Sequence, residues 1–188
     1  MRANKIALSL AMAGLLGASG LLAEESGFFV GAQAGLAQHK SSVELPGWSI
    51  QLVGSSFDYS DTGVKIGVLG GYKQFFTPEF GLRYYAKYSR GNDYNTLDAN
   101  VDALYDIGES FGVFAGVGLG LASYTQSTAK TGFDYAINLG GRYHFTDVHS
   151  LELFGRIGLS EHKSSVAQSF DYKDSQPFEV GARYVFSF

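Results

Sequence analysis

Two stretches of the chain set a candidate nucleophile close to a candidate base: His149-Ser150 and His162-x-Ser164. Acyl transfer by serine uses that pairing, with the imidazole taking the hydroxyl proton as the oxygen attacks. Neither pair stands in a nucleophile motif. The remaining histidines are His39 and His144. His39 and His162 fall in different connections and are too few for a metal site by spacing, and His144 lies two residues from Arg142. Solvated or packed imidazoles are the preferred reading of all four. Cysteine is absent, which removes thiolate nucleophiles, thiolate metal ligands and disulfides. No catalytic, metal or cofactor-binding residue is expected.

A second set of residues is ionic. Lys65, Lys73, Arg83, Lys87, Arg142, Arg156 and Arg183 recur at alternate positions within apolar segments, as do Asp98, Asp102, Asp106, Asp134, Glu152 and Glu179. The signs nearly cancel. Such a set can pair within a closed interior or line a narrow ion path.

The elements that must position these groups are plainest at the C-terminus. Phe178, Val180, Ala182, Tyr184, Phe186 and Phe188 alternate with Glu179, Gly181, Arg183 and Ser187. A period of two means a strand with one apolar and one polar face. Seven further segments share it: 27–38, 62–75, 79–89, 95–106, 111–124, 132–145 and 150–161. With 176–188 they make eight, each long enough for the ~9–11 tilted residues that cross a bilayer as β. The connections alternate in length. Those at 76–78, 107–110 and 146–149 are short, those at 39–61 and 162–175 long and polar, and those at 90–94 and 125–131 intermediate. Short turns on one side and longer loops on the other, with an even strand count, describe an all-β, eight-stranded antiparallel transmembrane up-and-down barrel.

Ring placement agrees. Phe28, Phe76, Phe80, Tyr105, Phe111, Tyr143, Phe145, Phe186 and Phe188 gather at the short-turn end, and Tyr88, Tyr94, Tyr124, Phe133, Tyr135 and Phe178 at the long-loop end. Amphipathic rings collect at both membrane–water boundaries. The competing fold is a soluble eight-stranded barrel with its apolar faces inward, but such a bore has no room for this many bulky side chains.

The N-terminus carries Arg2 and Lys5, then an apolar run over 6–22 with small residues near its end. This layout predicts a secretory signal peptide, residues 1–23, removed after Ala23. The alternative, a membrane-anchoring helix, is weakened by Gly14, Gly17, Ser19 and Gly20 within the run. The barrel then occupies residues 24–188. Of the 14 basic residues 12 remain against 18 acidic ones, a net charge of −6 and no electrostatic footprint for nucleic acid.

With apolar faces toward lipid, the ionic set fills the lumen. Lys65, Arg83, Lys87, Asp98, Asp102, Asp134, Arg142, Glu152, Arg156, Glu179 and Arg183 are the expected ion-paired core. An eight-stranded bore is just wide enough for side chains to fill it, and unpaired charges there are costly. An ion path is the alternative. Lumen-side glycines would give room for long Arg and Lys side chains or mark strand curvature. Some small outer-membrane barrels are acylases, yet His162-x-Ser164 lacks the Asn-Ala that the lipid A deacylase family places after its His-x-Ser.

The run from Gly71 through Tyr72-Lys73-Gln74-Phe75-Phe76-Thr77-Pro78-Glu79-Phe80-Gly81 to Tyr85 resembles the first periplasmic hairpin of the Helicobacter outer membrane protein family. Asn100-Val101-Asp102-Ala103-Leu104-Tyr105-Asp106, the Tyr184-Val185-Phe186-Ser187-Phe188 ending and Glu25-Ser26-Gly27-Phe28-Phe29-Val30-Gly31 resemble further parts of that family. The resemblance implies an outer-membrane barrel whose closing strand, through Tyr184, Phe186 and Phe188, is read by the barrel-assembly machinery. The large members carry extracellular adhesin insertions, and this chain has none. What remains is a structural or surface-interaction barrel, or else a narrow channel. Expected partners are outer-membrane lipid, lipopolysaccharide and, through the loops, a host-surface ligand. A monomer is expected. In the 39–61 loop, Trp48 is the candidate contact residue among Leu45, Ile50, Leu52, Val53, Phe57 and Tyr59.

Overall fold

A computed structural model of the chain describes residues 26–44, 56–91, 94–108, 110–124, 131–166 and 170–188. The signal segment 1–23 and Trp48 lie outside the described residues. The strands are β1 (Gly27–Glu44), β2 (Ser56–Phe75), β3 (Phe80–Gly91), β4 (Tyr94–Ile107), β5 (Phe111–Tyr124), β6 (Thr131–Thr146), β7 (His149–Gly158), β8 (Glu161–Val166) and β9 (Phe170–Ser187). From β1 to β7 each pairs antiparallel with the next. β7 and β8 both lie along β9, His149–Ile157 against its second half and Glu161–Val166 against its first. They are two lengths of one stave, interrupted at Leu159 and Ser160. β9 then pairs with β1 from Phe29↔Ser187 onward, and the eight staves close.

The period-two patterning dictates which way each face turns. Leu119 and Leu153 are each 66% exposed, while Arg83 and Glu179 are 0% exposed. That is the inverse of a water-soluble barrel, and it suits a chain whose outside solvent is hydrocarbon. Each stave of the closed ring is paired with a neighbour on both sides, so the main chain of the described spanning residues finds its partners within the sheet. The short turns are tight. The β4–β5 connection contains Gly108 at φ +74°, a left-handed conformation that glycine adopts without a Cβ penalty.

Three features depart from the sequence reading. β1 continues to Glu44, β2 begins at Ser56, and β8 and β9 occupy most of 161–175, so the long connections are largely paired ribbon. Their polar residues lack the apolar alternation by which a strand is recognised in sequence. Tyr94, assigned above to the outer girdle, is 4% exposed. It has inward parity on β4, with the Lys65 ammonium 4.7 Å from its ring centre. The inward face is also less purely polar than expected. Phe29, Leu69, Phe75, Leu104, Phe114, Phe154 and Val185 all sit on it, buried.

Candidate functional site

The lumen is built in tiers. At the short-turn end Arg142 Nη2 donates to both Asp106 oxygens, at 2.6 and 2.8 Å, and lies 3.0 Å from His144 Nε2. Further in, Glu152 bridges two guanidiniums. Its Oε1 accepts from Arg83 Nη1 at 2.5 Å and its Oε2 from Arg183 Nη1 at 3.2 Å. Arg83 Nη2 also donates to Asp102 at 2.7 Å. Toward the outer end Lys65 Nζ meets Glu179 Oε2 at 3.0 Å, and Gln33 Nε2 donates to the other Glu179 oxygen at 3.2 Å. Arg156 Nη2 donates to Asp134 at 2.6 Å, a carboxylate that also accepts from Ser160 Oγ at 2.8 Å. Asp98 lies 3.3 Å from Lys87 Nζ and 3.8 Å from Arg156 Nη2. Each of the eleven residues expected in the ion-paired core is thus in an ion pair, with its side chain at most 5% exposed, and Arg142's partner Asp106 near the mouth is 8% exposed.

Apolar side chains pack between these tiers. Phe75, Leu104, Phe114 and Phe154 form one cluster, and Phe29, Leu69, Tyr85 and Val185 another. The two central guanidiniums lie against their rings: Arg83 is 4.9 Å from Phe114 and 5.1 Å from Tyr85, and Arg183 is 4.9 Å from Phe154. A guanidinium over a ring face is attracted by its quadrupole, more strongly when both are desolvated. These rings explain how two buried arginines share one carboxylate. The sequence reading missed them because an isolated inward Phe within an apolar segment looks like part of the lipid face. Strict counting of parity along each strand would have found them.

The glycines of β5 chiefly make room for side chains of the neighbouring strand β4. Gly116, Gly118 and Gly120 stand across from Asp102, Asn100 and Asp98 on β4. A Cβ built at any of the three would collide with the side-chain oxygen of its partner. Gly112 is related in the same way to Asp106. The bare strand is therefore a berth for the acids and amide of β4, which lean over it and turn their oxygens toward the bases. At Gly112 the Arg142 guanidinium also comes close, its Nε 3.2 Å from where a Cβ would stand.

The histidine–serine candidates separate on simple geometry. Neighbouring residues on a strand point to opposite faces. His149 faces outward, its Nδ1 2.6 Å from the Tyr184 hydroxyl and its ring against Phe186, while Ser150 is buried on the inward side. They do not form a pair. The side chains of His39, His162 and Ser164 lie outside the described residues. Of the closing-strand rings, Tyr184 and Phe188 are exposed on the outer face, with Phe186 between them 5.0 Å from Phe188.

A closed antiparallel barrel with a lipid-facing apolar exterior, a charged interior and aromatic rings at both rims is an outer-membrane β-barrel of a Gram-negative bacterium. The chain belongs to the outer membrane protein beta-barrel domain family, whose model matches residues 8–187. Among solved structures it is similar to Neisserial surface protein A, at 16% identity over 87% of this chain and 99% of that one, with a TM-score of 0.51. It is also similar to the outer membrane protein OprG from Pseudomonas aeruginosa, at 14% identity over 85% and 96% of the two chains, with a TM-score of 0.52. At such identities the likeness is one of fold. No curated protein sequence matches the chain. The protein resides in the bacterial outer membrane.

Proposed function

We propose that this barrel is a closed structural scaffold that presents its extracellular loops for surface contact, and that it does not conduct ions. The observation that carries this reading is the filling of the bore: aromatic and aliphatic clusters, with Arg83, Glu152 and Arg183 locked among them, occupy the axis where a conducting path would need water. Ions do not cross an apolar layer of that kind without dehydration, whose cost far exceeds thermal energy. A narrow channel, the alternative, would require those rings to move aside.

The remaining expectations belong to the same reading. Residues 1–23 act as a cleaved signal peptide, and Tyr184, Phe186 and Phe188 are the segment read by the barrel-assembly machinery. Outer-membrane lipid and lipopolysaccharide surround the monomer, and a host-surface ligand meets the loops around Trp48. The motif resemblance to the Helicobacter outer membrane protein family supports this setting without assigning a ligand.

Single-channel recording on refolded protein in planar bilayers tests the scaffold reading, with a silent bilayer expected. Reproducible conductance steps from folded, heat-modifiable material would reverse the choice between scaffold and channel. For the loop, replacing Trp48-Ser49-Ile50 with Gly-Ser-Gly should preserve folding and surface level while reducing attachment to host cells or matrix. Unchanged attachment removes that segment as the contact.

A further inference from the structure

The ribbon beyond the membrane is lopsided. β1, β2, β8 and β9 run on together past the rim at which β3 and β4 turn back. β1 pairs on one side with β2 as far as Glu44↔Ser56 and on the other with β9 as far as Glu44↔Asp171, and β8 flanks β9. Pairing between β2 and β3 starts only at Lys65↔Gly91. Among the described residues, 56–64 of β2 therefore have no strand on their β3 side. Residues 92 and 93 alone join β3 to β4, a connection too short to climb alongside nine residues of strand.

An edge of that length is normally blunted by charged side chains, lysine above all, by proline or by a bulge. Residues 56–64 contain none of lysine, arginine or proline; their charged residues are Asp58 and Asp61. The opposite edge of the ribbon, β8, has six residues and carries Lys163. One amide on the long edge already shows the local condition. Thr62 N–H donates to its neighbour's Asp61 carboxylate at 2.8 Å in place of a strand carbonyl, and Ser60, Asp61, Thr62 and Val64 are all exposed.

We propose that residues 56–64 are a β-augmentation site for an extended cationic peptide segment of a partner protein. Main-chain pairing to an open edge supplies affinity, and side chains at alternate positions supply selection. Here the exposed Asp61 carboxylate, with no cation within the segment, selects lysine or arginine at the facing position of the added strand. The inference deepens the surface-contact reading above and rests on it for its biological setting.

The test uses refolded protein lacking residues 1–23 in lipid nanodiscs, with residue-resolved amide hydrogen exchange as the readout. The probe is the nonapeptide Lys-Thr-Val-Thr-Lys-Thr-Val-Thr-Lys, with a glutamate-for-lysine version as its control. Amides on the 56–64 edge should exchange at least about tenfold more slowly with the cationic peptide, because strand pairing protects them. The glutamate peptide should leave them unchanged. Thr62→Pro removes an edge N–H that takes no part in the ladder to β1, so it should abolish protection while keeping the folded gel mobility; Asp61→Lys should weaken it. Four outcomes overturn the site: no slowing, slowing that persists in Thr62→Pro, an edge already protected without peptide because the chain itself covers it, or protection that rises with protein concentration alone because a second copy does. Attachment to host cells that survives Thr62→Pro overturns the edge and leaves the surface-contact reading standing. A conducting barrel overturns the latter on its own.

Discussion

Glu152 is the carboxylate on which most of the lumen turns. It is buried, it accepts from Arg83 and Arg183, and both of those guanidiniums are also buried against rings. Removing one member of a buried ionic group leaves uncompensated charge and costs about 3–5 kcal/mol. Glu152→Leu should therefore destabilise the barrel by that order in urea titrations in lipid vesicles. Adding Arg83→Met and Arg183→Met to it should recover most of the loss, since apolar replacements of a whole buried group are often neutral or better. A triple variant as unstable as Glu152→Leu would mean that the carboxylate matters for something other than balancing those charges. Glycine offers a second contrast at the same scale. Gly116→Ala would drive a methyl into Asp102, whereas the Cβ of Gly141→Ala, on the lipid face, would meet only the Gly112 carbonyl at 3.9 Å. The first should lower the unfolding midpoint clearly, by about 1–3 kcal/mol as overpacking does, and the second should leave it within about 0.5 kcal/mol. Equal midpoints for the two variants would show that the β4 side chains do not depend on the bare strand.

At the scale of the element, β9 does two jobs along one length. Its second half closes the barrel against β1 and β7, and its first half continues upward as a central strand of the ribbon. Its end is tied by main chain: Ser187 N–H donates to Val148 O at 2.8 Å and Phe188 N–H to Phe28 O at 2.9 Å. The Phe188 ring, 72% exposed, touches little of the protein apart from Phe186. Deleting Phe188 should consequently change the unfolding midpoint of refolded barrel by less than about 1 kcal/mol, as loss of one exposed terminal ring does. In cells, the proposed reading of the closing strand by the assembly machinery predicts that the same deletion lowers outer-membrane levels and leaves periplasmic aggregates. Wild-type surface levels of the truncated protein, measured by cell-surface labelling, would show that assembly does not need this residue.

For the molecule as a whole, closure is the decisive property. A closed sheet leaves no transmembrane edge at which detergent or heat can begin to peel strands, so the barrel should unfold as one unit. Unboiled protein should run as a compact form in SDS gels and boiled protein should shift. Equal mobility of the two, for correctly extracted material, would contradict the closed barrel. The ribbon stands apart from this unit, since its four strands are paired outside the ring. Exchange in 38–44, 56–64, 161–166 and 170–175 should be faster than in the staves below, because local opening there leaves the barrel intact.

Sequence alone determined the face of nearly every transmembrane residue. Strand periodicity is exact at two, so one correctly placed residue orients a whole segment, and the apolar exterior makes any slip of register costly. The strand count, the sidedness of the turns and the charged inventory of the lumen follow from the same rule. Tertiary structure decided what periodicity cannot carry. Which base meets which acid depends on the stagger between strands distant in sequence, as Arg83 and Glu152 show. That Tyr94 turns inward over Lys65, that β4 acids lean across β5 glycines, and that inward phenylalanines cluster between the ion pairs are all contacts across the barrel. The upward ribbon was hidden for a related reason: its strands are polar in sequence on long stretches, so pairing to neighbours, and no apolar alternation, is what makes them strands.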